Sequence, residues 1–144
     1  VLVEFKLLNS LCKFVRNNKK NYNVVNVVSK IKDNKEYKSK SVIKALIGEN
    51  YNIINMLRTS ITQNVKSFDK NISKKVFRQT GIIVIRKDFL IKYYNLKRSF
   101  FEIKESIDML RFLENDIKIK SYVINKTMIG IDTKKDYLNF IKNY

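Results

Sequence analysis

Residues 60–85 read SITQNVKSFDKNISKKVFRQTGIIVI. An apolar-striped segment runs into a group of cations. Then comes Thr80-Gly81, which carries turn chemistry, and then Ile82, Ile83, Val84 and Ile85, all β-branched. Turn residues between two β-forming runs predict a hairpin, here over residues 70–87. Lys70, Lys74, Lys75, Arg78, Arg86 and Lys87 would ride on it. Like charges side by side on a two-stranded ribbon repel. An isolated hairpin is also marginal in water. Such a ribbon is best explained by a phosphate backbone lying against it. Arg forks onto phosphate and Lys adds point charge.

Outward from that stretch the chain reads as helices. In residues 3–15, Phe5, Leu8, Cys12 and Val15 form an apolar stripe, with Leu7, Leu11 and Phe14 beside it. The sequence RNNKKN then makes a turn, because Asn tolerates left-handed backbone angles. Val24, Val25, Val27, Val28 and Ile31 suit a helix face by spacing, although Val pairs also suit a strand. Residues 33–41 form a polar linker. Helical spacing resumes at Val42, Ile43, Leu46 and Ile47, and Asn52 caps a helix carrying Ile53, Ile54, Leu57, Ile61 and Val65.

Past the hairpin, Phe89, Tyr93, Leu96 and Phe100 mark one more helix. Ser99 opens another, with Glu102 completing a capping box and Ile103, Ile107, Leu110 and Leu113 inward. The stretch DIKIKSYVIN alternates as a short strand or an extended connection. A last helix offers Tyr137, Leu138, Ile141 and Tyr144 for burial. The expected architecture is mostly α: residues 1–144 as one helical RNA-binding domain with a protruding basic β-hairpin.

Composition supports a polyanionic partner. The 144 residues hold 30 Lys+Arg against 13 Asp+Glu, a formal net charge of +17. That excess costs self-repulsion unless it has a use. There is no His, which removes the commonest general base and metal ligand. A single cysteine, Cys12, allows no internal disulfide and no multi-Cys zinc site, and its neighbours read as core. No Gly-rich phosphate loop or Walker pattern appears. These features predict no enzyme, no cofactor and no metal. The Lys, Asn, Ile and Tyr bias resembles AT-rich coding of organelles, endosymbionts and large viruses. No continuous apolar window of about 18 residues exists, so no membrane span is expected. The apolar opening, broken by Glu4 and Lys6, reads as helix rather than signal peptide, with further residues expected before it.

A second cationic group, Lys13, Arg16, Lys19 and Lys20, sits at a helix end and its turn, where the macrodipole alone favours cations. Tyr94 is available for base stacking. Two other readings use the same charge. A DNA-binding accessory protein of a virus or plasmid would present Arg58, Gln63 and Asn64 from a recognition helix. A peripheral membrane protein would use residues 88–101.

The element order resembles the seventh protein of the small ribosomal subunit, of bacterial and organellar type. The stretches LLNSLCKFVRNNKKNYNVV and SITQNVKSFDKNISKKV carry the likeness, with Ser73, Lys74, Lys75, Val76 and Thr80 matching its basic hairpin. Phe77 and Arg78 stand where that family has two glycines, and Val84 where it has proline. The resemblance implies binding to the 3′ major domain of small-subunit rRNA and assembly of the subunit head. It places the hairpin near the exit-site tRNA and mRNA path, beside neighbouring head and platform proteins. The implied location is a mitochondrial or other organellar ribosome, or a bacterial-type cytoplasm. The implied RNA-binding residues are Lys13, Arg16, Lys19, Lys20, Lys66, Lys70, Lys74, Lys75, Arg78, Arg86, Lys87, Lys92, Lys97 and Arg98.

Overall fold

Residues 24–30 overturn the helical expectation. The computed structural model describes residues 3–18, 20–60, 68–69, 71–125, 131 and 134–143. In it Val24–Lys30 is a strand, β1, buried at every position but the last. Val24 and Val28 face one apolar cluster, with Ile53, Phe77 and Phe112. Val25 and Val27 face another, with Leu11, Phe14 and Tyr122. A strand covered on both faces reads as a continuous apolar run, which mimics a helix segment.

Four more strands follow: β2 (Lys44–Ile47), β3 (Asn52–Leu57), β4 (Val76–Ile85) and β5 (Ile119–Ile124). The first two replace the helices expected around Val42–Ile47 and after Asn52. The order is β1-β4-β2-β3-β5, closed into a barrel by pairing β5 with β1. The β1–β5 pair is parallel and the others are antiparallel. The fold is therefore mixed α/β rather than mostly α.

Among the described residues of the 70–87 stretch there is no hairpin. Ile72–Lys75 is one helical turn, α3, and β4 then runs as a single strand. Thr80-Gly81 is a bulge in that strand. Val28 pairs with Gln79 and Asn26 with Ile83, so β4 spends more residues than β1 over the same span. Gly81 has φ +85°, a conformation costly for any side chain. The turn residues are present, but they bend a strand instead of reversing it.

The other helices are α1 (Phe5–Asn17), α2 (Asn34–Lys38), α4 (Lys87–Asn95), α5 (Phe100–Glu105), α6 (Leu110–Glu114) and α7 (Lys134–Asn143), with α3 between α2 and α4. Helix α1 forms where expected but buries Leu11, while Phe5, Leu8 and Cys12 are exposed. Within the supposed linker, Asp33 caps α2 by accepting from the Glu36 amide at 2.8 Å, and Tyr37 is buried. The capping box at Ser99 is present. The helix it opens ends early, because Ser106 adopts φ +53° and separates α5 from α6. Ile107 and Leu110 are buried as expected, but Ile103 is exposed. Tyr137, Leu138 and Ile141 of α7 are also exposed.

Candidate functional site

The bulge is held from both sides. Thr80 Oγ1 donates to the Val27 carbonyl at 2.8 Å and accepts from the Ile82 amide at 3.3 Å. The Gln79 amide donates to the Ile43 carbonyl at 3.0 Å, tying β4 to the approach of β2. Gln79 lies on the same face of β4 as Phe77, by strand alternation. Its Oε1 is buried and has no partner among the described residues. Asn26, fully buried on β1, likewise leaves both Oδ1 and Nδ2 unpaired. A buried polar atom without a partner costs about 1–3 kcal/mol, so a pair of amides beside a strained bulge marks a functional position more than a packing one.

Next to the bulge, where β2 begins and β3 ends, cations gather. Lys44 is fully buried, and its Nζ donates to the carbonyls of Ser39 at 2.6 Å and Arg58 at 2.7 Å. Burial pushes its pKa down, the Arg58 charge adds to that, and Glu36 partly opposes it. Arg78, paired with Lys44 across the β4–β2 ladder, bonds Glu36 at 2.7 Å. Arg58 spends its guanidinium on the carbonyls of Glu105, Lys40 and Ser106. It is a strap between the end of β3 and the α5–α6 junction, not an exposed reader of DNA bases. Gln63 and Asn64 lie outside the described residues.

A third group centres on Glu102. Its carboxylate is buried and receives Arg111 through Nε and Nη2, Arg98 through Nε, and the Ser99 amide. The bonds from Arg111 lead in lowering its pKa from 4.5 to about 2, against the opposing effect of burial. Arg111 also lies 4.4 Å over the Tyr93 ring. This carboxylate is committed to an ion pair and serves structure.

The fourteen cations expected to hold RNA do not form one ribbon. Lys19, Lys66 and Lys70 lie outside the described residues. Lys13, Arg16 and Lys20 sit on α1 and the turn after it, and all are exposed. Lys74 is exposed, but Lys75 pairs with Glu49 at 2.5 Å. Arg78 pairs with Glu36, Arg86 grips both oxygens of Asp88 at 2.6 Å, and Arg98 reaches Glu102. Lys87 and Lys97 are exposed, and Lys92 lies over the Phe89 ring. The three arginines thus meet carboxylates of their own chain. Asn26 and Gln79 were missed because each was placed on a helix or hairpin. The signal for Asn26 is a polar residue inside an apolar Val run, and for Gln79 its place next to the Thr-Gly pair.

No protein-family model matches the chain. Curated relatives do. A 3-deoxy-manno-octulosonate cytidylyltransferase from Fusobacterium nucleatum is 31% identical over 144 residues, covering 98% of this chain and 57% of its own length. One of the same name from Protochlamydia amoebophila is 29% identical over 113 residues, covering 78% and 43%. The relatives are bacterial enzymes. Among solved structures, CMP:2-keto-3-deoxy-manno-octonic acid synthetase complexed with CTP superposes with a TM-score of 0.80 at 22% identity, covering 98% of this chain and 56% of that one. The backbone therefore has the fold of that part of the synthetase. The chain spans about half the length of the relatives it matches.

These likenesses correct the ribosomal resemblance. The chain is similar to cytidylyltransferases along nearly its whole length, whereas the ribosomal likeness depended on a hairpin that is absent. With it go the rRNA, tRNA and mRNA partners, the head and platform neighbours, the mitochondrial or organellar ribosome and the DNA-binding alternative. The expectation of a non-enzyme is likewise replaced by a likeness to enzymes. Among the described residues no helix is long and apolar enough to cross a membrane, and no acidic or cysteine cluster is placed to hold a metal.

Proposed function

We propose that this chain is part of a CTP-dependent cytidylyltransferase that acts on 3-deoxy-manno-octulosonate. One observation carries the reading: identity of 31% with such an enzyme extends over 98% of the chain. The CTP-complexed fold neighbour agrees with it.

Transfer of a cytidylyl group is a displacement at phosphorus. A hydroxyl oxygen of the sugar acid bonds to the α-phosphorus of CTP. The bond from that phosphorus to the β-phosphate bridging oxygen breaks, pyrophosphate leaves, and the hydroxyl proton passes to solvent. Such chemistry depends on positioning and on stabilising negative charge. Both substrates are anions, and a chain of net charge +17 draws them in by long-range attraction. The positive charge thus serves small anionic substrates rather than a polymer. Within this reading, Gln79 hydrogen-bonds a substrate hydroxyl at the bulge, and Asn26 on the neighbouring strand orients it. Lys44 and Arg58 keep the adjoining strand ends fixed.

CTP binding by equilibrium dialysis, with ATP as the comparison, tests the nucleotide part. The full relative from Fusobacterium, with its matched segment replaced by this chain, is the protein to use. Retention of CTP in preference to ATP is the expected result. Equal and weak retention of both by a folded chimera would overturn the reading.

A further inference from the structure

Helix α4 carries apolar residues on two sides, and the core takes only one of them. Phe89 and Tyr93 pack against the main apolar cluster, and Tyr93 stacks on Phe112 with ring centroids 4.5 Å apart. Leu90, Ile91 and Tyr94 lie on the opposite side and are 50%, 59% and 86% exposed. Their spacing makes them neighbours on one helical face. A single exposed apolar side chain is ordinary, but a group of three bulky ones marks a contact surface. Packing does not require them, because the helix is already anchored from its other side.

Charge of one sign surrounds this group. Residues 86–98 hold five cations and a single acid, Asp88. Lys87 stands one turn before Leu90 and Ile91, on their face of the helix. Lys97 and Arg98 follow its last turn. Lys87, Lys92 and Lys97 are exposed, and the Arg98 side chain is 63% exposed. The acids are already answered within the chain. Arg86 grips both oxygens of Asp88, and the carboxylate of Glu102, the next acid along, is buried under Arg111 and Arg98. The face thus presents aliphatic and aromatic groups ringed by cations, with no acid left to repel an anion.

We infer that this face of α4 docks on an anionic phospholipid bilayer. The helix lies in the headgroup layer with Leu90 and Ile91 toward the acyl chains. Lys87, Lys97 and Arg98 extend along the surface to lipid phosphates, and Tyr94 keeps its ring in the boundary and its hydroxyl in water. The charge pattern selects this occupant. A nucleic acid would engage the cations alone and leave Leu90 and Ile91 in water. A bilayer of anionic lipid meets both sets of groups at once. Nine residues of helix are far too short to cross it, and three apolar side chains anchor weakly, so the docking is peripheral and reversible. The inference stands apart from the reaction proposed above, since it concerns where the protein works and not which bond it makes.

Co-sedimentation with vesicles tests the docking. The chain and the Fusobacterium chimera are each mixed with vesicles of phosphatidylglycerol and phosphatidylcholine, and with vesicles of phosphatidylcholine alone. Both proteins should pellet with the first and stay in solution with the second. A net charge of +17 adsorbs to any anionic surface, so the deciding variant is Leu90→Gln/Ile91→Gln/Tyr94→Gln, which keeps every charge. Its partitioning should fall about tenfold. Unchanged binding by this variant would overturn the proposal, because net charge alone would then account for adsorption. Lys87→Gln/Lys97→Gln should weaken binding more than Lys13→Gln/Lys20→Gln, which removes the same charge from α1 and the turn after it. Equal losses would contradict the placement on α4. Binding by the chain that the chimera lacks would also overturn the proposal, by putting the face under the rest of the enzyme. So would a dimer in light scattering that the glutamine variant dissolves, which would assign the face to a second copy. An inactive chimera that still pellets with anionic vesicles would refute cytidylyl transfer and leave the docking intact.

Discussion

Arg111 holds the buried carboxylate of Glu102 through two nitrogens, Nε at 2.7 Å and Nη2 at 2.5 Å. The pair joins the start of α5 to α6 and lies under the Tyr93 ring system. Because the folded pKa of Glu102 is depressed to about 2 from 4.5, its stabilisation is complete above the unfolded value and is lost as pH falls toward 2. The shift corresponds to about 3 kcal/mol. Acid titration of unfolding free energy should show this loss between about pH 5 and 2. In Glu102→Gln the loss over that window should shrink.

Removing one partner is worse than protonating it. Arg111→Met leaves a buried carboxylate with only Arg98 and the Ser99 amide, and should destabilise by about 3–5 kcal/mol in urea melts. A change below about 1 kcal/mol would mean that the pair is solvated.

Lys44→Met should cost about 1–3 kcal/mol, because the carbonyls of Ser39 and Arg58 lose their donor. Its lowered pKa gives a pH slope of the same sign as that of Glu102, but in the alkaline range. Between the folded value and the ordinary 10.5 the unfolded chain binds more protons, so this residue's contribution rises with pH in that window. Denaturation midpoints of wild type and Lys44→Met, compared across alkaline pH, check both statements.

Gly81→Ala should destabilise by about 1–2 kcal/mol although space is free around it, since the penalty comes from φ rather than from contact. Thr80→Val should cost about 1 kcal/mol through loss of the bond to Val27. Both substitutions disturb the bulge, so both should also weaken CTP-dependent turnover of the chimera. Gln79→Leu removes a buried oxygen without a partner, so it should leave the melting curve unchanged or raise it, and should reduce kcat/KM of the chimera at least tenfold.

Some of this was legible in the residues. The first helix and the Ser99 cap follow from spacing and capping chemistry, and the alternation of DIKIKSYVIN admits the strand at residues 119–124 as one of two readings, beside an extended connection. The barrel does not. Val24, Val25, Val27 and Val28 match a helix face as well as a doubly buried strand, and only tertiary cover on both sides decides between them. Thr80-Gly81 supplies positive φ for a hairpin turn or for a bulge with equal ease. Reading it as a turn produced a basic ribbon, and the ribbon in turn produced an RNA partner. Arg78, Arg86 and Arg98 were free cations in that reading because Glu36, Asp88 and Glu102 were not yet beside them. For Gln79 and Asn26 the decisive facts are burial and missing partners, which no single-sequence pattern displays.

Pyrophosphate release by the Fusobacterium chimera bears most directly on the central claim. With CTP and 3-deoxy-manno-octulosonate together, release should be rapid, stoichiometric with a cytidylylated sugar acid, and dependent on both substrates. A folded chimera that binds small-subunit rRNA fragments in a salt-sensitive manner yet releases no pyrophosphate would contradict the account.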